Sequence, residues 1–316
     1  MKINITVEKL KKNKQDLVSI FNLPNDDLLK IFELTKNFKK TPYMSKEFLS
    51  GKNIALVFAK PSLRTRVSFE VGINHLGGNP ITIKMDEISV GIRENVEDIA
   101  SVLSRYVNGI VIRTFEQKQI NDLANYSSVP VINALSDDEH PCQVISDLFT
   151  IQEVFGKLRD LKIAYIGDGN NVANSLLLIC AKAGINISVA TPKSYEPKKY
   201  YLDAARKINS KIKLEVTNDP ISAVNDANVV YTDVWTSMGQ ESEIENRKAI
   251  FSPYQVNEKL LSASKNAIVL HCLPAHKGEE ISEGSFNKFK ELIYTQAENR
   301  LHAQKAILYS LLSANA

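Results

Sequence analysis

The sequence predicts an α/β protein built of two doubly wound parallel-sheet domains joined by interdomain helices. Three observations carry that prediction. Short apolar runs alternate with segments of helical periodicity, the order of a parallel sheet covered by helices. That series runs twice, with a break near residue 155. The 316 residues also exceed what one hydrophobic core ordinarily organises, so two domains are the natural division.

Each element has its own signal. Residues 25–39 set Leu28, Leu29, Ile31, Phe32, Leu34 and Phe38 on one helical face, with Asn25 or Asp26 as its cap. Residues 53–58 form a buried strand, and a helix over 68–76 is stopped by Gly77-Gly78. Strands follow at 81–84, 109–113 and 129–134, with a helix at 96–106. The segment 136–155 is helical and joins the halves. In the second series, strands fall at 161–166, 187–190, 214–217, 229–232 and 267–271, and helices at 173–183 and 198–209. The last segment, 297–313, lines up Leu301, Leu308, Leu311 and Leu312. The expected division is a first domain over 1–135, the link 136–155, a second domain over 156–296, and a terminal helix over 297–316 packing back on the first.

Composition excludes several function classes. The net charge of +3 is small and spread along the chain, so no nucleic-acid face is expected. No apolar run approaches the roughly 18 residues of a membrane-spanning helix. The N-terminal MKINITVEKLKKNK lacks the apolar core of a secretory signal and the arginine and serine of a transit peptide, and reads as a short solvated extension. Cys142, Cys180 and Cys272 form an odd, sparse set without CxxC spacing. Neither a disulfide framework nor a metal site is expected, and a reducing cytoplasm fits.

Open α/β sheets place their active sites beyond the carboxyl ends of the strands. The clusters there are KPSLRTR after residue 58, Arg113-Thr114 after 112, LSDDEHPCQ after 134, GDGNN after 166, DVWTSMGQE after 232 and HCLPAHKGEE after 270. Nearly every unusual polar group in the chain falls at this edge.

Ser62-Leu63-Arg64-Thr65-Arg66 joins a strand to a helix. Taken alone it reads either as a solvated cap or as a phosphate socket made of free N–H groups, hydroxyls and a guanidinium fork. Arg113 and His140 follow strands of the same half, and Gln143 lies one turn beyond His140. An arginine and a histidine near a carbonyl polarise it and stabilise an oxyanion. The set points to a small anionic substrate carrying a carbonyl. For each residue the bland alternative is a cap or a structural ion pair.

The second half offers a glycine-rich turn, 167–171, but no acid at the end of the next strand to hold a ribose. Nicotinamide binding is therefore not favoured. Asp233, followed by Ser237 and Met238, suits a cationic substrate group, or else caps a turn. Cys272 is either a thiol that hydrogen-bonds a substrate amine or a small buried residue.

In this order, the clusters resemble those of the aspartate/ornithine transcarbamylases, and in particular those that use ornithine. The resemblance runs from about residue 16 to 312. It is carried by Ser62-Leu63-Arg64-Thr65-Arg66, the HPCQ run at 140–143, DVWTSMGQE at 233–241, HCLPAHKGEE at 271–280 and ENRLHAQKA at 298–306. It implies transfer of the carbamoyl group of carbamoyl phosphate to the side-chain amine of L-ornithine, giving L-citrulline and phosphate, without metal or organic cofactor. By resemblance, Ser62, Leu63, Arg64, Thr65, Arg113, His140, Gln143, Cys272, Leu273 and Arg300 hold carbamoyl phosphate. Asn171, Asp233, Ser237 and Met238 hold ornithine, and Cys272, Arg113 and His140 serve the chemistry. It also implies a cis bond between Leu273 and Pro274, a first domain for carbamoyl phosphate, a second for ornithine, and a homotrimer or a multiple of trimers. The HAQKA and HKGEE runs are similar to those of enzymes in arginine biosynthesis.

Two positions depart from the family pattern. Leu63 stands where threonine is usual, and Ser89 where a longer glutamine or histidine reaches a neighbouring subunit's phosphate. Rival readings are a transcarbamylase for putrescine or an N-acylated ornithine, a nicotinamide dehydrogenase, and a catalytically silent protein on the same fold.

Overall fold

The computed structural model describes residues 14–44, 46–84, 94–236, 243–264 and 266–313, apart from the side chain of Asn25. The chain divides into two compact units. One ends at Cys142 and resumes at Leu301; the other is Gln143–Arg300.

The first unit is built on four parallel strands, β1 (Asn53–Phe58), β2 (Asn79–Lys84), β3 (Gly109–Arg113) and β4 (Val131–Leu135), in the order β2-β1-β3-β4. Its helices are α1 (Asn25–Lys40), α2 (Leu63–His75), α3 (Val96–Leu103) and α4 (Gln117–Tyr126). Central β1 and β3 are near-continuous apolar runs because both faces of a covered parallel sheet are buried. Ala55, Val57, Ile110 and Ile112 pack with Ile120 and Leu123 of α4 in one core. Strand β2 is the edge and is largely exposed, so Pro80 is tolerated there. The chain moves from β1 to β2, then crosses to β3 on the other side of β1. The loops after β1 and β3 therefore part, opening a crevice at this switch point.

Helix α5 (Pro141–Phe155) leads on to the second sheet. That sheet comprises β5 (Lys162–Ile166), β6 (Asn186–Ala190), β7 (Leu214–Thr217), β8 (Val229–Thr232) and β9 (Ile268–His271), all parallel, in the order β7-β6-β5-β8-β9. Here the switch point lies between β5 and β8. Helices α6 (Asn171–Ala183), α7 (Lys199–Ile208), α8 (Pro220–Val224), α9 (Ile244–Phe251), α10 (Glu258–Leu261) and α11 (Glu283–Ser313) complete the described α-helices. Every residue from Val172 to Ala181 is buried, as expected of a helix apolar on all sides. Ala164, Ile166, Val230 and Val269 form a core with Val256, Ile281 and Ile293.

Several boundaries differ from the sequence reading. Helix α1 has Pro24 in the capping position and no side-chain cap, so Asn25 and Asp26 lie inside its first turn. Asp26 and Asp27 there favour the positive end of the helix. Helix α2 begins at Leu63 rather than 68, because extended Ser62 already releases the following residues into helix. Helix α3 stops at Leu103, and β4 begins at Val131, after a proline that has no N–H to donate. Helix α11 starts at Glu283, fourteen residues before the expected 297.

Candidate active site

In the first unit, Phe58 pairs with Arg113 in register, and Ala59 N–H donates to the Arg113 carbonyl at 2.8 Å. Two expected site elements thus leave the sheet side by side. Ser62 stands at the start of α2 in extended conformation (φ −160°, ψ 102°), and its hydroxyl makes no capping bond. The N–H groups of the first turn have no intrahelical acceptor. Arg66 is drawn back along the helix by Glu70, at 3.6 Å. Arg64 is exposed and makes no ion pair among the described residues. Thr65, Arg113 and His140 are buried.

Sequence reasoning passed over the residues that brace these loops. Lys60 is only 5% exposed; its ammonium pairs with Asp137 after β4 and lies 4.2 Å from the ring centroid of Phe115 after β3. One lysine thus links the loops after three strands. Glu139, next to His140, accepts from Ile20 N–H at 3.0 Å and from the Ser19 hydroxyl at 2.5 Å. Lys60 gave only a faint signal, a cation just past a strand end beside a proline.

In the second unit the glycine-rich turn takes an unexpected form. Gly167 has φ 139°, and a Cβ on Gly169 would lie 2.3 Å from Pro197 N, so glycine is required at both. Asn170 occupies the cap of α6. Its Oδ1 accepts from Val172 N–H (2.9 Å), Ala173 N–H (3.2 Å) and the Tyr165 hydroxyl (3.1 Å). Its Nδ2 donates to Asp233 Oδ2 at 2.8 Å. The helix N-terminus that would receive a dinucleotide pyrophosphate is already filled by this carboxamide. Asp168 pairs with Arg247, which also donates to the Trp235 carbonyl at 2.6 Å. Burial pushes Asp168 up to about 6, against the pull of Arg247. Asn171 is the first residue of α6 and half-buried.

Asp233 Oδ1 accepts from Cys272 Sγ at 2.9 Å and from Val234 N–H at 2.8 Å. Burial and the adjacent Asp233 charge push the Cys272 thiol well above its ordinary value, so it is a neutral donor. His271 Nδ1 accepts from Leu273 N–H at 2.9 Å, which leaves Nε2 to donate to Glu280 Oε1 at 3.0 Å. Leu273 has φ 58°, an uncommon backbone state for leucine, and precedes a cis bond to Pro274. Donor atoms of Asp233, His271 and Cys272 lie within 4.8 Å of one another. Asp233 accepts from Cys272 and Asn170, whereas the His271 ring is engaged by Glu280 and the Leu273 N–H.

Gln143 and Arg300 are buried. Gln143 Nε2 donates to Asp147 Oδ1 at 2.9 Å. Burial pushes Asp147 up to about 6, opposed by hydrogen bonds from Gln296, Gln143 and Tyr231 and by the charge of Arg300. Ser237, Met238 and Ser89 lie outside the described residues. Cys142 and Cys180 are buried; the Cys142 thiol faces the Asn133 carbonyl at 3.5 Å.

Two α/β units, each with polar side chains gathered beyond the carboxyl ends of its parallel strands, define the class: a two-domain protein with the architecture of an open-sheet α/β enzyme. A family model described as the carbamoyl-P binding domain of aspartate/ornithine carbamoyltransferase matches residues 15–153. A second, the Asp/Orn binding domain of the same family, matches 159–311. An ornithine carbamoyltransferase of Anoxybacillus flavithermus is 48% identical over 315 residues, covering 98% of this chain and 100% of the relative. One from Methanocaldococcus jannaschii is 48% identical, covering 92% and 97%. Among solved structures, that of the Pyrococcus furiosus ornithine carbamoyltransferase superposes with a TM-score of 0.91 at 43% identity, covering 95% of this chain and 98% of the other. An anabolic ornithine carbamoyltransferase from Campylobacter jejuni gives 0.89 at 36% identity, covering 96% and 100%. The chain belongs to the aspartate/ornithine carbamoyltransferase family.

Proposed function

We propose that this enzyme transfers the carbamoyl group of carbamoyl phosphate to the side-chain amine of L-ornithine, giving L-citrulline and phosphate. The observation that carries the choice of acceptor is the buried Asp233–Cys272 pair, a carboxylate beside a neutral thiol. Such a pair suits a substrate with one ammonium to bind and one amine to orient. Aspartate as acceptor would call for cations there instead.

Ser62, Leu63, Arg64 and Thr65 grip the phosphate, with Arg113, and Arg113 and His140 polarise the carbonyl. Gln143, Cys272, Leu273 and Arg300 complete the contacts to carbamoyl phosphate. Asn171, Asp233, Ser237 and Met238 hold ornithine, with Asp233 on the α-ammonium and Cys272 beside the δ-amine. The neutral amine attacks the carbonyl carbon, and the oxyanion that forms is stabilised by the cationic donors. The C–O bond to phosphate then breaks, and the proton lost by the amine leaves on the phosphate.

The same reading places the enzyme in arginine biosynthesis, in the cytoplasm, as a homotrimer or a multiple of trimers. That the similar Campylobacter jejuni enzyme is an anabolic one supports the direction. No described helix is long and apolar enough to cross a membrane. Citrulline formation with ornithine, putrescine, acetylornithine and aspartate, with mass in solution measured alongside, tests the proposal. Ornithine is expected to be fastest; a higher rate with another amine overturns the acceptor assignment.

A further inference from the structure

Gln143 and Asp147 stand one turn apart on α5, and their side chains are fully buried apart from 1% of Gln143. The Asp147 carboxylate collects three donors. Oδ1 accepts from Gln143 Nε2 at 2.9 Å and from Gln296 Nε2 at 2.7 Å, and Oδ2 accepts from the Tyr231 hydroxyl at 2.8 Å. An ionised carboxylate can only accept. The orientation of Gln296 is fixed from both ends, because its Oε1 accepts the His271 backbone N–H at 3.0 Å. Gln143 obeys the same logic from one end. Its NH₂ group must face Asp147, so its carbonyl oxygen must face away. That oxygen is buried and accepts no hydrogen bond from the described residues. A buried carbonyl left without a donor is destabilising, and such groups mark a place where a partner is expected.

We propose that Asp147 is a positioning residue: it locks the Gln143 carboxamide with its oxygen presented to an N–H donor on the transferred group, and thereby sets the preference for a carbamoyl over an acetyl group. The inference rests on the reading above, in which Gln143 contacts carbamoyl phosphate. Carbamoyl and acetyl phosphate are nearly the same size and differ by NH₂ against CH₃. Only the first donates to a fixed oxygen. A site built around a hydrogen bond rejects the analogue that lacks it far better than a site built on shape alone. Without the fixed acceptor the carboxamide turns over, and its NH₂ then meets NH₂ or CH₃ with equal indifference.

The test is the ratio between the inhibition constant of acetyl phosphate and the KM for carbamoyl phosphate. It is measured at pH 8, where Asp147 is ionised. Asp147→Leu, which has nearly the shape of aspartate but no acceptor, is expected to lower that ratio about ten-fold, the worth of one hydrogen bond, while the KM for ornithine stays within about two-fold. Asp147→Glu, which keeps an acceptor, retains most of the ratio. Asp147→Ala is the second variant should Asp147→Leu not fold, and shifts the ratio in the same direction. In a Gln143→Ala background, Asp147→Leu should change the ratio no further. An unchanged ratio in folded Asp147→Leu overturns the proposal, as does an equal shift with and without Gln143. If Gln143→Ala alone leaves the ratio unaltered, the assignment of Gln143 to the carbamoyl group is what fails.

Discussion

The Cys272 thiol donates to one oxygen of Asp233 at 2.9 Å, while Asn170 donates to the other at 2.8 Å. One carboxylate after β8 is thus held from the ends of both neighbouring strands, β5 and β9. The consequence for Cys272 is chemical. A thiol kept protonated beside a carboxylate is a hydrogen-bonding group and a poor nucleophile. Iodoacetamide at pH 8 is therefore expected to alkylate Cys272 at least about ten-fold more slowly than a free cysteine. Mass spectrometry of the peptide around residue 272 measures this, and rapid modification would contradict the geometry.

Asp233→Asn keeps the shape of the side chain and removes its charge. Loss of a charge-assisted bond to the ornithine ammonium should lower kcat/KM for ornithine by about ten- to a hundred-fold. The KM for carbamoyl phosphate should change little. Steady-state kinetics with each substrate varied separates the two.

Arg64 and Leu63 are both exposed, Leu63 by 70%, so neither is needed for packing. Arg64→Ala should leave the melting temperature within about 1 °C and weaken carbamoyl phosphate binding at least about ten-fold. Calorimetric titration of the folded variant is the check. Leu63→Thr, which restores a hydroxyl at the start of α2, should lower the KM for carbamoyl phosphate by no more than about ten-fold.

Lys305 is fully buried, its ammonium 2.7 Å from the Pro42 carbonyl and 4.7 Å from the ring centroid of Phe38. Burial brings its pKa down from 10.5 to about 8. Between those values the unfolded chain binds a proton that the folded chain has lost, so this group favours folding increasingly as pH rises through the window. Lys305→Met should therefore gain most over the parent near pH 7 and lose that advantage toward pH 10. Thermal melts across that range give the trend, and a gap that widens with pH would refute it.

Strands were the most legible part of the fold. Residues 229–232 begin and end where the sequence places them, because a strand buried on both faces is a near-continuous apolar run; 214–217 also match, although that edge strand is only partly buried. Helix α2 was misplaced by five residues because Arg64-Thr65-Arg66 carries no apolar periodicity to mark its start. Helix α4 went unread although Ile120, Leu123 and Ala124 line its buried face, since three apolar positions in ten make a thin stripe. Within the candidate site, no local rule distinguishes Asn170 from Asn171. Asp233, sixty-three residues further on, selects Asn170 by accepting its amide. Lys60 was hidden for the same reason: its burial arises only where loops from three strands converge.

The first compact unit is discontinuous in sequence, and this has a consequence for biogenesis. Its core includes Ala303, Ala306, Ile307, Leu308, Leu311 and Leu312, and Leu312 lies against the start of β3, 3.3 Å from where a Cβ on Gly109 would stand. A ribosome adds those residues only after all of Gln143–Arg300 has been synthesised. The N-terminal sheet must therefore wait, with part of its apolar surface open, while the intervening unit is synthesised and free to fold. A nascent chain carrying residues 1–300 followed by an unstructured linker long enough to span the ribosomal exit tunnel is expected to hold a protease-resistant second unit and a cleavable first one, so the order of folding runs opposite to the order of translation.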